Sequence, residues 1–396
     1  MKSEGSSIVR IALLTAGRDK PYALGMAGAL LNKGIELDFI GNDELESEKI
    51  FSHSNAKYFN LRGDQRPEAN FVSKAYRVLA YYCTLIKYVA STETRIFHIL
   101  WLNKFIFFDS TLLNVFYRLN RKKLVYTAHN VNMKTRDGGD NLLNRISLRF
   151  LYGIVDHILV HTNAMKDELM KKFGVGDDKV TVIPFGINST LPETELNSSR
   201  ARDSLKLGKD DTGLLFFGNI APYKGLETLI DAMNTIVGEV CNVRLIIAGG
   251  VKGSDEYWKE INRRIANYGL NKKIIKRIEF IPDEEVEVFF KAADALVLPY
   301  KFIYQSGPLF LAYNFGLPVI ANNVGSFKDD IVDGKTGFVS EGVDAKSLAN
   351  AIKRFIRSPL YQEKERSRES IRAYANKKYC WNSIAETIKG VYERNL

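Results

Sequence analysis

Short runs of Val, Ile, Leu and Phe punctuate the chain, separated by longer segments with helical spacing. The first series comprises residues 8–15 (IVRIALLT), 96–101 (IFHILW), 123–128 (KLVYTA) and 157–161 (HILVH). Runs that are apolar at consecutive positions, rather than alternating, belong to strands covered on both faces. Their alternation with helices predicts parallel sheets built from βαβ units. The rhythm restarts at 213–218 (GLLFFG), 243–248 (VRLIIA), 278–281 (IEFI), 294–299 (DALVLP) and 318–321 (PVIA). Two doubly wound α/β domains in tandem account for both series. Between them, residues 184–200 (PFGINSTLPETELNSSR) are poor in apolar side chains and read as a linker. Leu226, Leu229, Ile230 and Met233 place one apolar helix face just after a strand. Helical patterns over 344–357 and 361–395 exceed what the second domain needs. The expected division is 1–188, 189–375, and a last helix at 376–396 returning to the first domain.

Composition adds exclusions. The 396 residues are 45% apolar and 26% charged, an ordinary globular balance. No run approaches the roughly 18 apolar residues of a membrane span, and the polar opening to 8–15 is no signal peptide. Cys83, Cys241 and Cys380 are far apart, with neither disulfide nor zinc spacing. A cytoplasmic protein is the expectation. The formal charge of +10 suits nucleic acid, a membrane surface or an anionic substrate.

The richest segment is residues 214–233 (LLFFGNIAPYKGLETLIDAM). A strand ends at Phe217, Gly218 turns the backbone, and a short loop brings Lys224 and Gly225 to a helix N-terminus. Free N–H groups and the helix dipole favour an anion there, such as a diphosphate. Taken alone, the same pattern describes a solvated lysine beside an ordinary turn.

With IIAGG (246–250), ALVLPY (295–300), residues 304–326 (YQSGPLFLAYNFGLPVIANNVGS) and DDIVDGKTGFV (329–339), the order of motifs resembles the family 4 (group 1) glycosyltransferases. KLVYTAHNV (123–131), ILVHTNAMKDEL (158–169) and VIPFGIN (182–188) extend the resemblance over nearly the whole chain. It implies the GT-B fold, two Rossmann-like domains facing across a cleft, with the acceptor on the first and a nucleotide-diphosphate sugar on the second. That sugar is a co-substrate; no cofactor and no metal are implied, and no Asp-x-Asp motif occurs.

The resemblance also assigns residues. Lys224 matches the lysine that neutralises the leaving diphosphate, and His129 the histidine set against the donor sugar; these are the catalytic expectations. Donor contacts fall on Gly218, Asn219, Gly225, Tyr304, Gln305, Ser306, Gly307 and Asp329. Two departures stand out. Asn219 occupies the place of an arginine, and an amide brings no charge. The family's paired glutamates would fall on Ile303 and Leu311, and no Asp or Glu occurs between Ala295 and Lys328. Gln305, Ser306 and Gly307 look like the family's Gln-Ser-Gly variant of this loop. Arg18 and Lys20, in the loop with Gly17 after the first strand, are candidates for the missing charge, with Lys301 behind them. Asn130 follows His129 at the same sheet edge. His161 reads as structural, beside a helix cap at Thr162.

The implied reaction is sugar transfer to a glycan or a polyprenyl-diphosphate-linked saccharide, retaining and metal-independent, in cell-surface glycan assembly. The alternatives are a catalytically silent nucleotide-sugar-binding protein and a nucleotide-sugar epimerase. Charge refines the picture: residues 70–155 hold 13 Lys/Arg against four Asp/Glu. Within them, 101–124 mixes aromatics with cations, as at an anionic membrane surface. No nucleic-acid motif accompanies the charge.

Overall fold

Every strand pairing among the described residues is parallel. The computed structural model describes residues 9–66, 70–103, 105–132, 134, 139–187, 194–240, 242–253 and 255–396. Two compact units emerge, residues 1–186 with 379–396, and residues 187–378.

In the first unit the strands are β1 (Arg10–Leu14), β2 (Glu36–Gly41), β3 (Ala56–Asn60), β4 (Ile96–Ile99), β5 (Lys123–Thr127), β6 (His157–Val160) and β7 (Val180–Val182). They form one sheet, ordered β3-β2-β1-β4-β5-β6-β7. The helices used below are α1 (Lys20–Asn32), α2 (Phe71–Ser91), α3 (Ile106–Ser110), α4 (Leu112–Leu119), α5 (Leu142–Ile154) and α6 (Asn163–Phe173). The second unit repeats the plan with β8 (Thr212–Phe217), β9 (Val243–Ala248), β10 (Ile274–Arg277), β11 (Ala295–Leu298), β12 (Val319–Ala321) and β13 (Gly337–Val339), ordered β10-β9-β8-β11-β12-β13. Its relevant helices are α7 (Leu226–Val237), α8 (Gly307–Asn314), α9 (Phe327–Asp330) and α10 (Lys364–Lys378). In each sheet the first strand is central and the order runs out one way, then the other. Each is therefore a Rossmann-like doubly wound sheet, with a crevice where β1 meets β4 and β8 meets β11.

The division differs from the sequence expectation by a few residues. The chain leaves the first unit after Gly186 and re-enters it at Tyr379, rather than after 188 and at 376. Linker residues 188–193 lie outside the described residues, and Asn197 caps a helix, Ser198–Ser204, where the linker's second half was expected. The pattern over 361–395 is not one helix: buried Tyr379 and extended Cys380 separate α10 from α11 (Trp381–Arg394).

α11 completes the core of the first unit. Ile384, Ile388, Val391 and Tyr392 are buried with Met26, Ala27 and Leu30 of α1 in one cluster. Tyr392 Oη meets His98 Nδ1 at 2.6 Å, and His98 Nε2 meets Thr127 Oγ1 at 2.7 Å, so a fully buried imidazole is satisfied at both nitrogens. The Trp381 indole lies against Gly25 and Gly186, where any side chain would collide with it.

The expected strand at 278–281 is also displaced. Ile274 and Ile275 pair with Leu245 and Ile246, while Glu279 and Phe280 lie past the strand end and are exposed. β10 is an edge strand with one neighbour, so it tolerates Lys276 and Arg277 and does not read as a continuous apolar run. β3, an edge strand of the first unit's sheet, is masked in the sequence for the same reason.

All five histidines belong to the first unit. Burial lowers His98 to about 3 and His161 to about 4, and His157 also to about 4, from an ordinary 6.5. Below 6.5 the unfolded chain therefore binds more protons than the folded one, so this contribution to stability is complete above 6.5 and lost as pH falls toward 4. Calorimetry at about pH 7 and about pH 5.5 should show the first unit's transition moving to lower temperature, with the histidine-free second unit moving far less. Tyr392→Phe, which strands a buried His98 nitrogen, should cost about 1–3 kcal/mol in urea unfolding.

Candidate functional site

In the second unit, groups converge at the carboxyl edge of β8, β11 and β12. Gly218 (φ +96°) ends β8 and Gly249 (φ +147°) ends β9, packed so tightly that a side chain on Gly249 would strike the Gly218 carbonyl. The chain then makes a 3-10 turn, Pro222–Lys224, and Gly225 (φ +63°) starts α7 beneath the carbonyl of Pro299, where no other residue fits. This geometry folds Lys224 inward. Its side chain is buried, its ammonium 5.3 Å from the centre of the Tyr300 ring, and a Cβ on Gly218 would lie 3.0 Å from Nζ. An ammonium over an aromatic face is attracted by the ring quadrupole.

On the loops after β11 and β12, Tyr300 Oη, Gln305 Oε1, Ser306 Oγ and Ser326 Oγ are buried without a partner of good hydrogen-bond geometry, although the Tyr300 and Ser306 side chains interact with each other. Burial pushes the Tyr300 phenol up, with Ser306 acting in the opposite sense. The loops carrying them are fixed to each other: Ser326 N donates to Tyr304 O at 3.3 Å, and Asn322 Nδ2 to Tyr300 O at 3.2 Å. Buried polar atoms are nearly always paired, so four such atoms at one sheet edge call for a ligand rich in donors and acceptors.

Several expected residues sit differently. Asn219 is exposed, and Lys301 is occupied by Glu227, which also accepts from Tyr257 Oη; Lys301 therefore does not supply the missing charge. Asp329 is exposed on α9, a single helical turn, while its neighbour Asp330 is the buried carboxylate. Gly307 opens α8 as expected, but Pro308 has no N–H and Leu309 N donates to Ser306 O. That turn offers fewer free donors than the sequence suggested. Tyr304 is half-buried, edge-on to Phe302 at 5.4 Å. Phe280, past the end of β10 and 81% exposed, is a flat apolar surface near Gly250 that the sequence reading passed over.

In the first unit the corresponding edge carries His129. The loop after β1 holds three positive φ angles, at Ala16, Gly17 and Asp19, and leaves Arg18 and Lys20 exposed. Backbone strain of this kind persists where surroundings over-determine it, and it clusters at functional loops. Asn42, buried beside Gly17, has both side-chain polar atoms unpaired. Asn130 is half-buried after His129.

His129 stacks on Trp101 (centroids 4.4 Å, planes 5° apart), with Tyr22 edge-on at 4.7 Å. Its Nδ1 lies 3.0 Å from His161 Nε2, and His161 Nδ1 lies 3.3 Å from the carbonyl of Ile183. A carbonyl only accepts, so His161 carries its proton on Nδ1 and accepts at Nε2; His129 then donates from Nδ1. The remaining nitrogen, His129 Nε2, is a bare acceptor, buried and without a partner. Burial, then His161 and His98, hold His129 well below its ordinary value, so it stays neutral. His161 is therefore part of this cluster, while Thr162 does cap α6 through Met165 N at 3.1 Å. Adjacency of β5 and β6, each followed closely by a histidine, was the signal that could have paired them. Among the described residues no group of three His, Cys, Asp or Glu side chains is arranged to hold a metal ion.

Comparison with known proteins agrees with this organisation. The pattern of the family described as glycosyl transferases group 1 matches residues 197–378, and that of glycosyltransferase family 4 matches residues 21–191. A D-inositol 3-phosphate glycosyltransferase of Corynebacterium diphtheriae is 26% identical over 68% of this chain and 64% of its own length. One from Acidothermus cellulolyticus is 29% identical over 61% of this chain and 54% of its own length. The chain thus spans roughly half to two thirds of the length of these curated relatives. Among solved structures, the sucrose-phosphate synthase from Thermosynechococcus elongatus matches with a TM-score of 0.74 at 19% identity, covering 98% of both chains. Anabaena Alr3699/HepE in complex with UDP-glucose matches with 0.73 at 16% identity, covering 98% of this chain and all of that one. With one family pattern on each Rossmann-like unit, the chain belongs to the family 4, group 1 glycosyltransferases.

Proposed function

We propose that the protein transfers a sugar from a nucleotide-diphosphate sugar to a saccharide acceptor, with retention of anomeric configuration and without a metal. The observation that carries this reading is the buried Lys224 ammonium beside the Tyr300 ring, on a sheet edge that also holds four buried polar atoms without good hydrogen-bond geometry. In the reaction, the bond from the anomeric carbon to the diphosphate breaks and both electrons leave with the phosphate oxygen. The acceptor hydroxyl oxygen bonds to that carbon, and its proton passes to the departing phosphate. Negative charge grows on the diphosphate, so a fixed cation and oriented hydroxyls there lower the barrier. Tyr300, Gln305, Ser306 and Ser326 supply neutral contacts, and Phe280 offers the nucleobase a stacking face. His129 Nε2 accepts a hydrogen bond from a sugar hydroxyl. It orients the donor rather than giving up a proton.

The acceptor proposed is a glycan or a polyprenyl-diphosphate-linked saccharide, at the cytoplasmic face of a membrane and in cell-surface glycan assembly. A second reading, a small phosphorylated polyol, is favoured by the activity for which the curated relatives are named, D-inositol 3-phosphate glycosyltransferase. Saccharide and inositol phosphate acceptors offered side by side separate the two. A silent binding protein would give no product from either, and an epimerase would isomerise the donor with no acceptor present.

Lys224→Ala should lower transfer at least about 100-fold with an unchanged unfolding midpoint; near-normal turnover would remove the phosphate assignment. A nucleotide sugar at about 100 times its Kd should stabilise the protein by about 2.7 kcal/mol, and a thermal-shift screen across UDP, GDP and ADP sugars identifies the base. Because His129 and His161 are held low, transfer should show no acid limb from them between pH 8 and their ordinary 6.5. His161→Phe, which releases the tautomer, should lower kcat more than it changes donor affinity.

A further inference from the structure

All but five of the exposed large apolar side chains among the described residues fall between Val72 and Met170. They are not scattered. On α2, Val72, Tyr76, Leu79, Cys83 and Ile86 follow one another at alternating intervals of four and three, so they form a single outward line. The opposite side of the helix, with Tyr81, Leu85 and Val89, is the buried one. The 101–124 segment adds Phe105, Ile106, Phe107, Leu112 and Leu119 to the exposed apolar surface, while its Tyr117 packs on Phe97 inside the unit and its Trp101 on His129.

The rest of the surface comes from α5, where Leu142, Leu143, Ile146 and Phe150 all face outward. Val72, Tyr76, Leu142 and Leu143 are each between 69% and 75% exposed, far beyond the edge contact of a core residue. These helices are joined rigidly. Tyr82 of α2 stacks on Phe105 at 5.9 Å and bonds Asp109 of α3 at 2.8 Å, and Ser110 of α3 bonds Ser147 of α5 at 2.6 Å.

Cations border the apolar surface. Arg145 and Arg149, four apart on α5, run beside Ile146. With Lys172 they line a recess of about 520 Å³ whose apolar wall is Leu142, Ile146 and Phe173. Arg145 pairs with Asp140 at 2.8 Å, whereas Arg149 donates to the carbonyl of Lys172 and forms no ion pair among the described residues. Of the four acids in 70–155, Asp109 is buried and Asp140 is already paired. Lys172 pairs with Glu168 at 2.8 Å, so of the three recess cations Arg149 is the one without an ion pair among the described residues. An apolar stripe in a segment with 13 Lys/Arg against four acids is complementary to a bilayer interface with anionic headgroups.

We propose that α2, α3 and α5 form one face that docks on an anionic lipid bilayer, with the recess beside α5 receiving a phosphate headgroup. In purpose this rests on the lipid-linked acceptor reading, since such an acceptor is presented at that interface. A second copy of the chain is a poorer occupant: a two-fold contact through this face would set the same basic region against itself.

The experiment uses the full chain with vesicles of phosphatidylglycerol and phosphatidylcholine in equal parts, against phosphatidylcholine alone, at low and high salt. The wild type should sediment with the anionic vesicles at low salt and be released by salt. Leu79→Glu with Ile146→Glu, and separately Arg145→Glu with Arg149→Glu, should each weaken partitioning at least about tenfold. Absence of binding to anionic vesicles at low salt, or variants that bind like the wild type, would overturn the proposal. So would a chain of twice its monomer mass by light scattering that becomes monomeric on Leu79→Glu without vesicle binding, since the face would then be a subunit interface. Nucleotide-sugar thermal shifts on the same proteins without vesicles separate the two ideas. Intact shifts with no vesicle binding remove only the docking face, and vesicle binding with no shift removes only the donor reading.

Discussion

Parallel pairing is the constraint from which the rest follows. Two parallel neighbours cannot be joined by a tight turn, so each connection crosses a face of the sheet, and all strands in a unit leave by the same edge. Polar loops collect there because the sheet interior has no room for them. In the second unit that crowding is visible as backbone touching backbone, at Gly218 against Gly249 and at Gly225 against Pro299. The same tight exits turn Lys224 toward the strand ends instead of toward water.

The two units meet their edges with different chemistry. The second sets one buried cation among hydroxyl and amide groups, an environment suited to an anion that must later depart. The first holds a chain of neutral imidazoles whose proton positions are dictated by a single backbone carbonyl at Ile183. Low local polarity sharpens both, because an unpaired dipole or a lone pair in such a place is costly until something arrives to satisfy it.

Most strands buried on both faces were legible because their positions are mainly apolar. β1, β4, β5, β6, β9, β11 and β12 fall within expected runs and β8 begins one residue before its run, while β2, with Glu36 and Asp38 among its six residues, was not marked by one. Edge strands were not legible, since a strand with one neighbour can carry Lys276 and Arg277 without penalty. Lys224 and Gly225 could be read because glycine and lysine leave a distinctive trace at a strand-to-helix turn. The role of His161 could not be read from its own neighbours, because its partner lies on the adjoining strand, 32 residues away. Exposure of α2 was equally hidden: a line of apolar residues at helical spacing has the same pattern whether it faces a core or the outside.

The return of α11 imposes an order on biogenesis. Ile388, Val391 and Tyr392 leave the ribosome only after all of the second unit has been made, a delay on the order of ten seconds or more at usual elongation rates. Until then α1 has no partner for its outer face, and His98 has no phenol. The second unit, continuous in sequence from 187 to 378, can close on itself first, so the part of the protein made earliest is the part finished last.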